Sequence, residues 1–320
     1  MTELVGTFNK IDYRLRPAKH AERTMLIDLY KRLRFAPIEG YQYVGFGSVA
    51  FVDFRMVHRA LGIDDLLSIE GTDEKEEQVR FTQNKPYERI DLRFGHSSTI
   101  LPQINFDRHS IVWLDYDEPA KRFMVNDLAS VAGKAKSGTF VAVTFTNDFP
   151  AEKKLSEKAL HFLKEGFPEF VPDDAKAISY QGPKYAEFVR ATFGSLLDTA
   201  LKDADAGNPD PLAKRVAFQV CYFKYKDGAQ MATVGWLIVS ESDLETLDLC
   251  RLETLPFFRP GSDAFRIDIP RVTPLEIREM ERRLPEPQAA AELAWIPTEE
   301  RVAFAKSYRY LPNFAPVEAI

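Results

Sequence analysis

The sequence predicts a doubly wound α/β fold whose sheet is mostly parallel and ends in an antiparallel hairpin. Short β-prone runs alternate with amphipathic stretches over residues 41–145, which is the pattern of a parallel sheet with helical crossovers. The run at residues 110–114 is continuously apolar, as expected for a strand covered on both faces. Asp227-Gly228 lies between two long β-rich runs, which is a strong hairpin signal.

The first strand–helix–strand unit occupies residues 41–70 and suggests a nucleoside site. A short strand runs into the turn at residues 45–48, which holds Gly45 and Gly47, and a helix follows over residues 51–61. The glycines let the backbone approach a ligand, and the helix start offers N–H groups and partial positive charge. Glu70 ends the second strand, about 20 residues on, where an acid can accept both hydroxyls of a ribose. The unit therefore predicts an adenosine-containing cofactor.

Polar residues collect where the predicted strands end. We predict further strands at residues 89–94, 110–114 and 139–145, a charged loop at 71–78 and a helix at 121–135. Ligand-binding groups gather at the carboxyl ends of parallel strands. In this sequence, the ends carry Gly45 and Gly47, Glu70, His96 and Ser97, Asp115 and Asp117, and Asn147 and Asp148.

Composition limits the class of protein and its compartment. The 320 residues suffice for one large domain or two small ones, and the net charge of −6 argues against a surface coated for nucleic acid. The net charge does not exclude a local basic groove for nucleic acid. We expect a cytoplasmic protein for two reasons. The two cysteines, Cys221 and Cys250, make no disulfide framework, and no apolar run approaches the roughly 20 residues of a membrane span.

Three parts are expected along the chain. Residues 1–40 form an N-terminal segment and helix, 41–240 the α/β domain with a helical insertion at about 150–212, and 241–320 a helical and aromatic extension that packs on the body. The segment at residues 12–20 mixes Arg, Lys and Tyr. It is either a solvated face with a docking Tyr or a lid over the cofactor, whose Arg or Lys pairs with a carboxylate or phosphate.

Five alternating strands followed by a hairpin resemble the class I S-adenosylmethionine-dependent methyltransferases, which have a Rossmann-like sheet of seven strands. The turn at residues 45–48 is similar to the glycine motif of that superfamily, and Glu70 is similar to its ribose-binding acid. Residues 95–97 resemble its adenine-side segment, and residues 113–117 its acid motif after strand four. The opening at residues 13–19 also resembles bacterial proteins assigned as O-methyltransferases.

The resemblance implies S-adenosylmethionine as cofactor and methyl transfer to an oxygen of a small molecule or a modified partner. Asp115 and Asp117 are the implied catalytic residues. The implied cofactor-binding residues are Gly45, Phe46, Gly47, Ser48, Glu70, His96, Ser97 and Asp115. We assign no metal ligand; the alternative is Mg²⁺ held by Asp115, Asn147 and Asp148, because hard cations take oxygen ligands.

Two other functions stay open at this point. Gly45, Gly47 and Ala50 also fit the dinucleotide pattern, with Glu70 on the ribose, so an NAD-dependent oxidoreductase is one alternative. Val49 replaces the third glycine of the methyltransferase motif, which motivates the other alternative. It is a non-catalytic cofactor-binding or scaffold subunit of a bacterial defence or nucleic-acid-modification assembly. The acceptor is unknown, and a partner protein or nucleic acid stays open.

Overall fold

One eight-stranded sheet forms the centre of the protein. The computed structural model describes residues 16–286 and 292–312. The strand order is β3-β2-β1-β4-β5-β7-β6-β8, with β1 to β5 mutually parallel, β7 antiparallel to both β5 and β6, and β8 parallel to β6. The strands are β1 Gln42–Gly45, β2 Asp65–Glu70, β3 Asp91–Phe94, β4 Ser110–Asp115, β5 Thr139–Thr146, β6 Arg215–Asp227, β7 Ala229–Ser240 and β8 Phe265–Ile267.

Helices cover both faces of the sheet. Those of the described residues are α1 Pro17–Tyr30, α2 Val52–Leu61, α3 Lys75–Asn84, α4 Ser97–Ile100, α5 Arg122–Lys134, α6 Lys153–Gly166, α7 Pro183–Ala204, α8 Leu244–Leu249, α9 Pro274–Glu281 and α10 Thr298–Ser307. Within this part of the chain, none has both the length and the apolar character needed to cross a membrane.

The predicted α/β sheet is confirmed, with two differences in its elements. The region predicted as a charged loop at residues 71–78 contains the start of α3. Phe81 is the buried residue of that helix and Val79 is exposed, so α3 has no apolar stripe that a pattern search could find. The edge strand β8 is only three residues long and gives no periodicity either. Residues 1–15 of the predicted N-terminal segment, and residues 287–291 and 313–320 of the predicted C-terminal extension, lie outside the described residues.

Two hydrophobic cores lie on opposite faces of the sheet. Alternating side chains of each strand supply them: Val44 packs with α5 and α7, whereas Tyr43 packs edge-on against Phe54 of α2. Helix α1 joins the α2 side, and its first turn is tied to the tip of the hairpin. The Asp227 carboxylate accepts from the backbone N–H groups of Ala18 (3.2 Å) and Lys19 (2.8 Å).

The order of the strands fixes where a ligand can bind. Chain connections turn in opposite directions on the two sides of the β1–β4 pair, which is the topological switch point of the sheet. Open α/β sheets bind ligands in the crevice outside the strand carboxyl ends at such a point. The residues that follow β1, β2 and β4 therefore meet at the expected crevice.

The packing between the hairpin and β5 can be tested by substituting Gly235. A Cβ there would lie 2.7 Å from both Cys221 Sγ and Phe140 Cζ, so we expect Gly235→Ala to lower the free energy of unfolding by about 1–3 kcal/mol. Gly133→Ala is the matched control, because its site in α5 is exposed and has open space. That variant should be neutral or slightly stabilising. Urea unfolding curves of the two variants with equal midpoints would contradict this account of the packing.

Candidate functional site

A cleft of about 430 Å³ opens at the carboxyl edge of the sheet, at the switch point. It is lined by Arg16, Arg23, Phe46, Gly47, Ser48, Val52, Asp53, Ile69, Glu70, Gly71, Thr72, Phe81, Gly95, His96, Ser97, Asp115, Tyr116, Asp117, Glu118, Phe123 and Met231. All but one of the residues predicted to bind the cofactor are among them. The exception, Gly45, is the last residue of β1 and is paired with Ser68 and Trp113.

Glu70 joins the end of β2 to the glycine turn. Its Oε1 accepts hydrogen bonds from the backbone N–H of Gly47 (2.8 Å) and from Ser68 Oγ (2.7 Å). The same Gly47 N–H also reaches Ser68 Oγ at 3.0 Å. Burial raises the pKa of the Glu70 carboxyl to about 7, although the hydrogen bonds from Ser68, Gly47 and Ser48 act in the opposite direction. Glu70 is thus a buried, oriented acid that titrates near neutral pH.

The glycine turn is tightly packed against protein atoms. A Cβ on Gly47 would lie 2.5 Å from the Phe51 ring and 2.7 Å from Ser68 Oγ, so only glycine fits there. Ser48 and Phe51 adopt left-handed backbone conformations, with φ of 52° and 47°. Such conformations are strained for residues other than glycine, and they cluster at ligand sites. The turn is therefore shaped by its packing on Phe51 and Ser68.

An aromatic wall lines the side of the cleft formed by the ends of β1, β3 and β4. Phe46 packs edge-on against Tyr116, Tyr116 against Phe123, and Phe123 against His96, with ring centroids 4.8–5.5 Å apart. Buried Asp127 of α5 fixes this wall from behind. Its carboxylate accepts from Tyr116 Oη (2.6 Å) and from the hydroxyls of two serines, Ser97 and Ser98. The predicted cofactor residue Ser97 thus lines the cleft while its hydroxyl donates to Asp127.

Helix α1 brings two ion pairs to the cleft. Lys19, only 1% exposed, donates to Asp115 Oδ1 at 2.7 Å and to Tyr225 Oη at 3.1 Å, and its Nζ lies 4.3 Å from the Trp113 ring centroid. One turn further along α1, Arg23 Nε donates to Asp53. Lys19 Nζ also lies 2.8 Å from Glu22 of its own helix, so Asp115 is one of two acids that meet this lysine. Removing one partner of a buried pair is costly, so both pairs help to hold α1 against the site.

Of the three residues considered for Mg²⁺, Asp115 alone lines the cleft. Asn147 is buried at the end of β5, where its backbone N–H donates to Gln230, whereas Asp148 is exposed. Neither lines the cleft that holds Asp115. Throughout residues 16–286 and 292–312, no three His, Cys, Asp or Glu side chains group as metal ligands. The donor set therefore does not fit the Mg²⁺ alternative.

The fold and the site together define the class of protein. The order β3-β2-β1-β4-β5-β7-β6 is a Rossmann-like sheet with the antiparallel end of the class I S-adenosylmethionine-dependent methyltransferases, and the cleft lies at its switch point. The family comparison identifies the chain more narrowly. It belongs to the family described as "Putative O-methyltransferase", whose model matches residues 11–319.

More distant comparisons add only structural likeness. No curated protein matches the sequence. An O-methyltransferase from Bacillus cereus, in complex with SAH, is 12% identical over 72% of this chain and 84% of its own, with a TM-score of 0.39. Trm1 from Pyrococcus horikoshii, with S-adenosyl-L-methionine, is 11% identical over 90% of this chain and 74% of its own, with a TM-score of 0.44. Structural similarity at such low sequence identity gives no information about the reaction that this protein catalyses.

Cofactor affinity should depend on pH through Glu70. We expect the ribose hydroxyls to donate to the ionised Glu70 carboxylate, whereas the raised pKa of about 7 keeps the proton on the unliganded protein below neutral pH. Affinity for S-adenosylhomocysteine, the product form of this class's cofactor, should therefore rise about tenfold from pH 6 to pH 8. Calorimetric titration at both pH values measures this. Glu70→Gln should bind more weakly and without that rise; a pH-independent wild type would contradict the assignment.

Proposed function

We propose that the protein transfers a methyl group from S-adenosylmethionine to an oxygen atom of a small molecule or of a modified partner. The observation that carries the proposal is the buried Glu70 carboxylate, fixed by Gly47 and Ser68 at the switch-point cleft. A carboxylate held in this way suits a ribose diol. Membership of the O-methyltransferase family supports oxygen as the target atom.

The use of the glycine turn supports this cofactor over a dinucleotide. In dinucleotide sites, the N–H groups of the turn and the following helix bind the diphosphate. Here the Gly47 N–H donates to Glu70 and Ser68, and buried Asp53 lies in the first turn of α2. The Asp53 charge is paired with Arg23, so it is the ionised Glu70 carboxylate that would repel a diphosphate at this turn, where the Gly47 N–H is already in use. An uncharged ribose with an amino-acid end meets no such repulsion.

The chemistry required of the protein is positioning and removal of a proton. The cofactor supplies an electrophilic methyl group on a sulfonium, and the acceptor hydroxyl must lose its proton as it is methylated. Asp115 and Asp117 both line the cleft, but Asp115 Oδ1 is already engaged by Lys19. Asp117 lies at the exposed rim, where an acceptor enters. Because Asp117 is the more exposed of the two, we assign proton acceptance to Asp117 and a binding role to Asp115.

The aromatic wall suits an acceptor with an apolar body. Phe46, Tyr116, Phe123 and Met231 supply apolar surface beside the acidic rim. Because Asp127 fixes the Tyr116 hydroxyl at 2.6 Å, that ring presents a fixed surface to a ligand. An apolar pocket with few convergent polar groups is the usual form of a small-molecule site.

Calorimetry with S-adenosylhomocysteine and with NAD tests the choice of cofactor. We expect binding of the first and no heat with the second, because Glu70 and Ser68 already use the Gly47 N–H that a diphosphate would need. Mass spectrometry of ligand retained by the purified protein provides an independent reading. NAD binding, or failure to bind S-adenosylhomocysteine, would contradict the proposal.

Methyl transfer is then measured with tritiated methyl donor and an extract of small molecules as acceptors. We expect Asp117→Asn to bind S-adenosylhomocysteine normally and to lose at least about 100-fold in transfer, as is typical when a general base is removed. Glu165→Gln, in the exposed part of α6, is the matched control. Wild-type cofactor binding without transfer to any extract would favour the non-catalytic scaffold alternative.

A further inference from the structure

A short loop carries the acid to which we assign proton acceptance. Residues 116–121 join β4 to α5, and Tyr116, Asp117 and Glu118 of this loop line the cleft. The Tyr116 N–H still pairs with Thr144 O of β5 at 3.2 Å, but the loop belongs to no helix or strand. A general base must come within about 3 Å of the proton that it takes. The hydrogen bonds that hold the loop therefore matter for Asp117.

The end of β5 provides the first anchor of the loop. The backbone N–H of Thr146 donates to Glu118 O at 2.9 Å. The Thr146 side chain adds a contact that needs a hydroxyl, because its Oγ1 donates to the backbone oxygen of Asp117 at 3.1 Å. The same Oγ1 lies 3.9 Å from Met231 Sδ, but a thioether is the weaker acceptor. Thr146 thus holds the carbonyl groups of two consecutive loop residues, one of which is Asp117.

The helical insertion between β5 and β6 provides the second anchor. Tyr185 lies in the first turn of α7 and is only 2% exposed, with its ring packed against Phe145 and Phe149. Its Oη accepts a hydrogen bond from the backbone N–H of Ala120 at 3.0 Å. Burial raises the pKa of Tyr185 to about 12, so the hydroxyl stays neutral. A buried N–H without a partner is costly, so this bond helps to fix the far end of the loop.

Two side chains from different elements thus hold one loop, at Asp117 and at Ala120. We propose that Thr146 and Tyr185 are positioning residues for methyl transfer, which place the Asp117 carboxylate where it can take the proton of the acceptor hydroxyl. This assignment rests on the proposed function, since it takes Asp117 as the base. It also gives the insertion a part in the reaction, through Tyr185.

A purely structural role for the two side chains predicts a different result. Thr146→Val keeps the branched shape and the backbone N–H, and Tyr185→Phe keeps the packed ring, so each change removes only one oxygen. A general loosening of the protein would lower transfer by the same factor with or without the Asp117 carboxylate. If the two residues act through Asp117, their loss should matter only while that carboxylate is present, because residues that act as a unit are not additive.

Double-mutant cycles, measured by transfer of a tritiated methyl group, separate the two roles. We expect Thr146→Val and Tyr185→Phe each to lower kcat about 10- to 100-fold, since a displacement of about 1 Å can cost that much. Affinity for S-adenosylhomocysteine should stay within about twofold. In the Asp117→Asn background, neither change should lower kcat by more than a further factor of about two. Thr146→Ser restores the hydroxyl and should recover most of the activity.

Tyr222→Phe and Thr199→Val are the matched controls. The Tyr222 side chain is also buried on the α7 face of the sheet, and its hydroxyl has no hydrogen-bond partner within the described part of the chain. Thr199 Oγ1 donates to a backbone oxygen as Thr146 does, that of Ser195 at 2.9 Å, but on the exposed side of α7 toward its other end. Neither control should change kcat by more than about twofold.

Losses that multiply in the Asp117→Asn background, or wild-type kcat in both single variants, would overturn the assignment. If Tyr185→Phe does not fold, Thr146→Val alone decides. Hydrogen–deuterium exchange of the unliganded protein provides a reading without transfer: both variants should exchange faster at residues 116–121 than the wild type. Unchanged exchange there would overturn the anchors and leave the proposed function standing. If the wild type transfers no methyl group, the proposed function fails and this role fails with it, whatever the exchange shows.

Discussion

The interaction on which the site depends is the hydrogen bonding of the Glu70 carboxylate to the Gly47 backbone and the Ser68 hydroxyl. It joins the ends of two parallel strands and uses an N–H group that a diphosphate would otherwise take. Glu70 is buried there, and burial raises its pKa to about 7, so its charge is available to a hydrogen-bond donor near neutral pH. These hydrogen bonds thus fix the geometry of the turn and the orientation of the acid, and they also favour one cofactor over another.

The second constraint comes from outside the α/β core. Helix α1 is fastened at its first turn to the hairpin through Asp227, and its Lys19 and Arg23 each meet an acid that lines the cleft. Buried charges of this kind are stable only as pairs, so the helix and the site hold each other in place. Helix α1 therefore does more than cover the site, because its Arg23 lines the cleft.

The sheet could be predicted from sequence because its signals are local. The apolar run at 110–114 and the Asp227-Gly228 turn are both visible without knowledge of the fold. The contacts of α1 could not be predicted, because Lys19 meets Asp115 across 96 residues and no periodicity encodes that distance. Asp127 gave a weaker signal in the sequence, because it is a charged residue on the otherwise apolar, buried face of α5. The strand-end pattern pointed to Glu70, Ser97 and Asp115, which line the cleft, but also to Gly45, which does not, and it gave no sign that Ser97 donates to Asp127.

We expect a nucleoside to lie across the ends of β1 and β2 with its sugar on Glu70. A crystal structure of the protein with S-adenosylhomocysteine tests this directly. We expect both ribose hydroxyls within hydrogen-bond distance of the Glu70 carboxylate, about 2.6–3.2 Å. A nucleoside bound elsewhere, or a ribose that makes no contact with Glu70, would contradict the account.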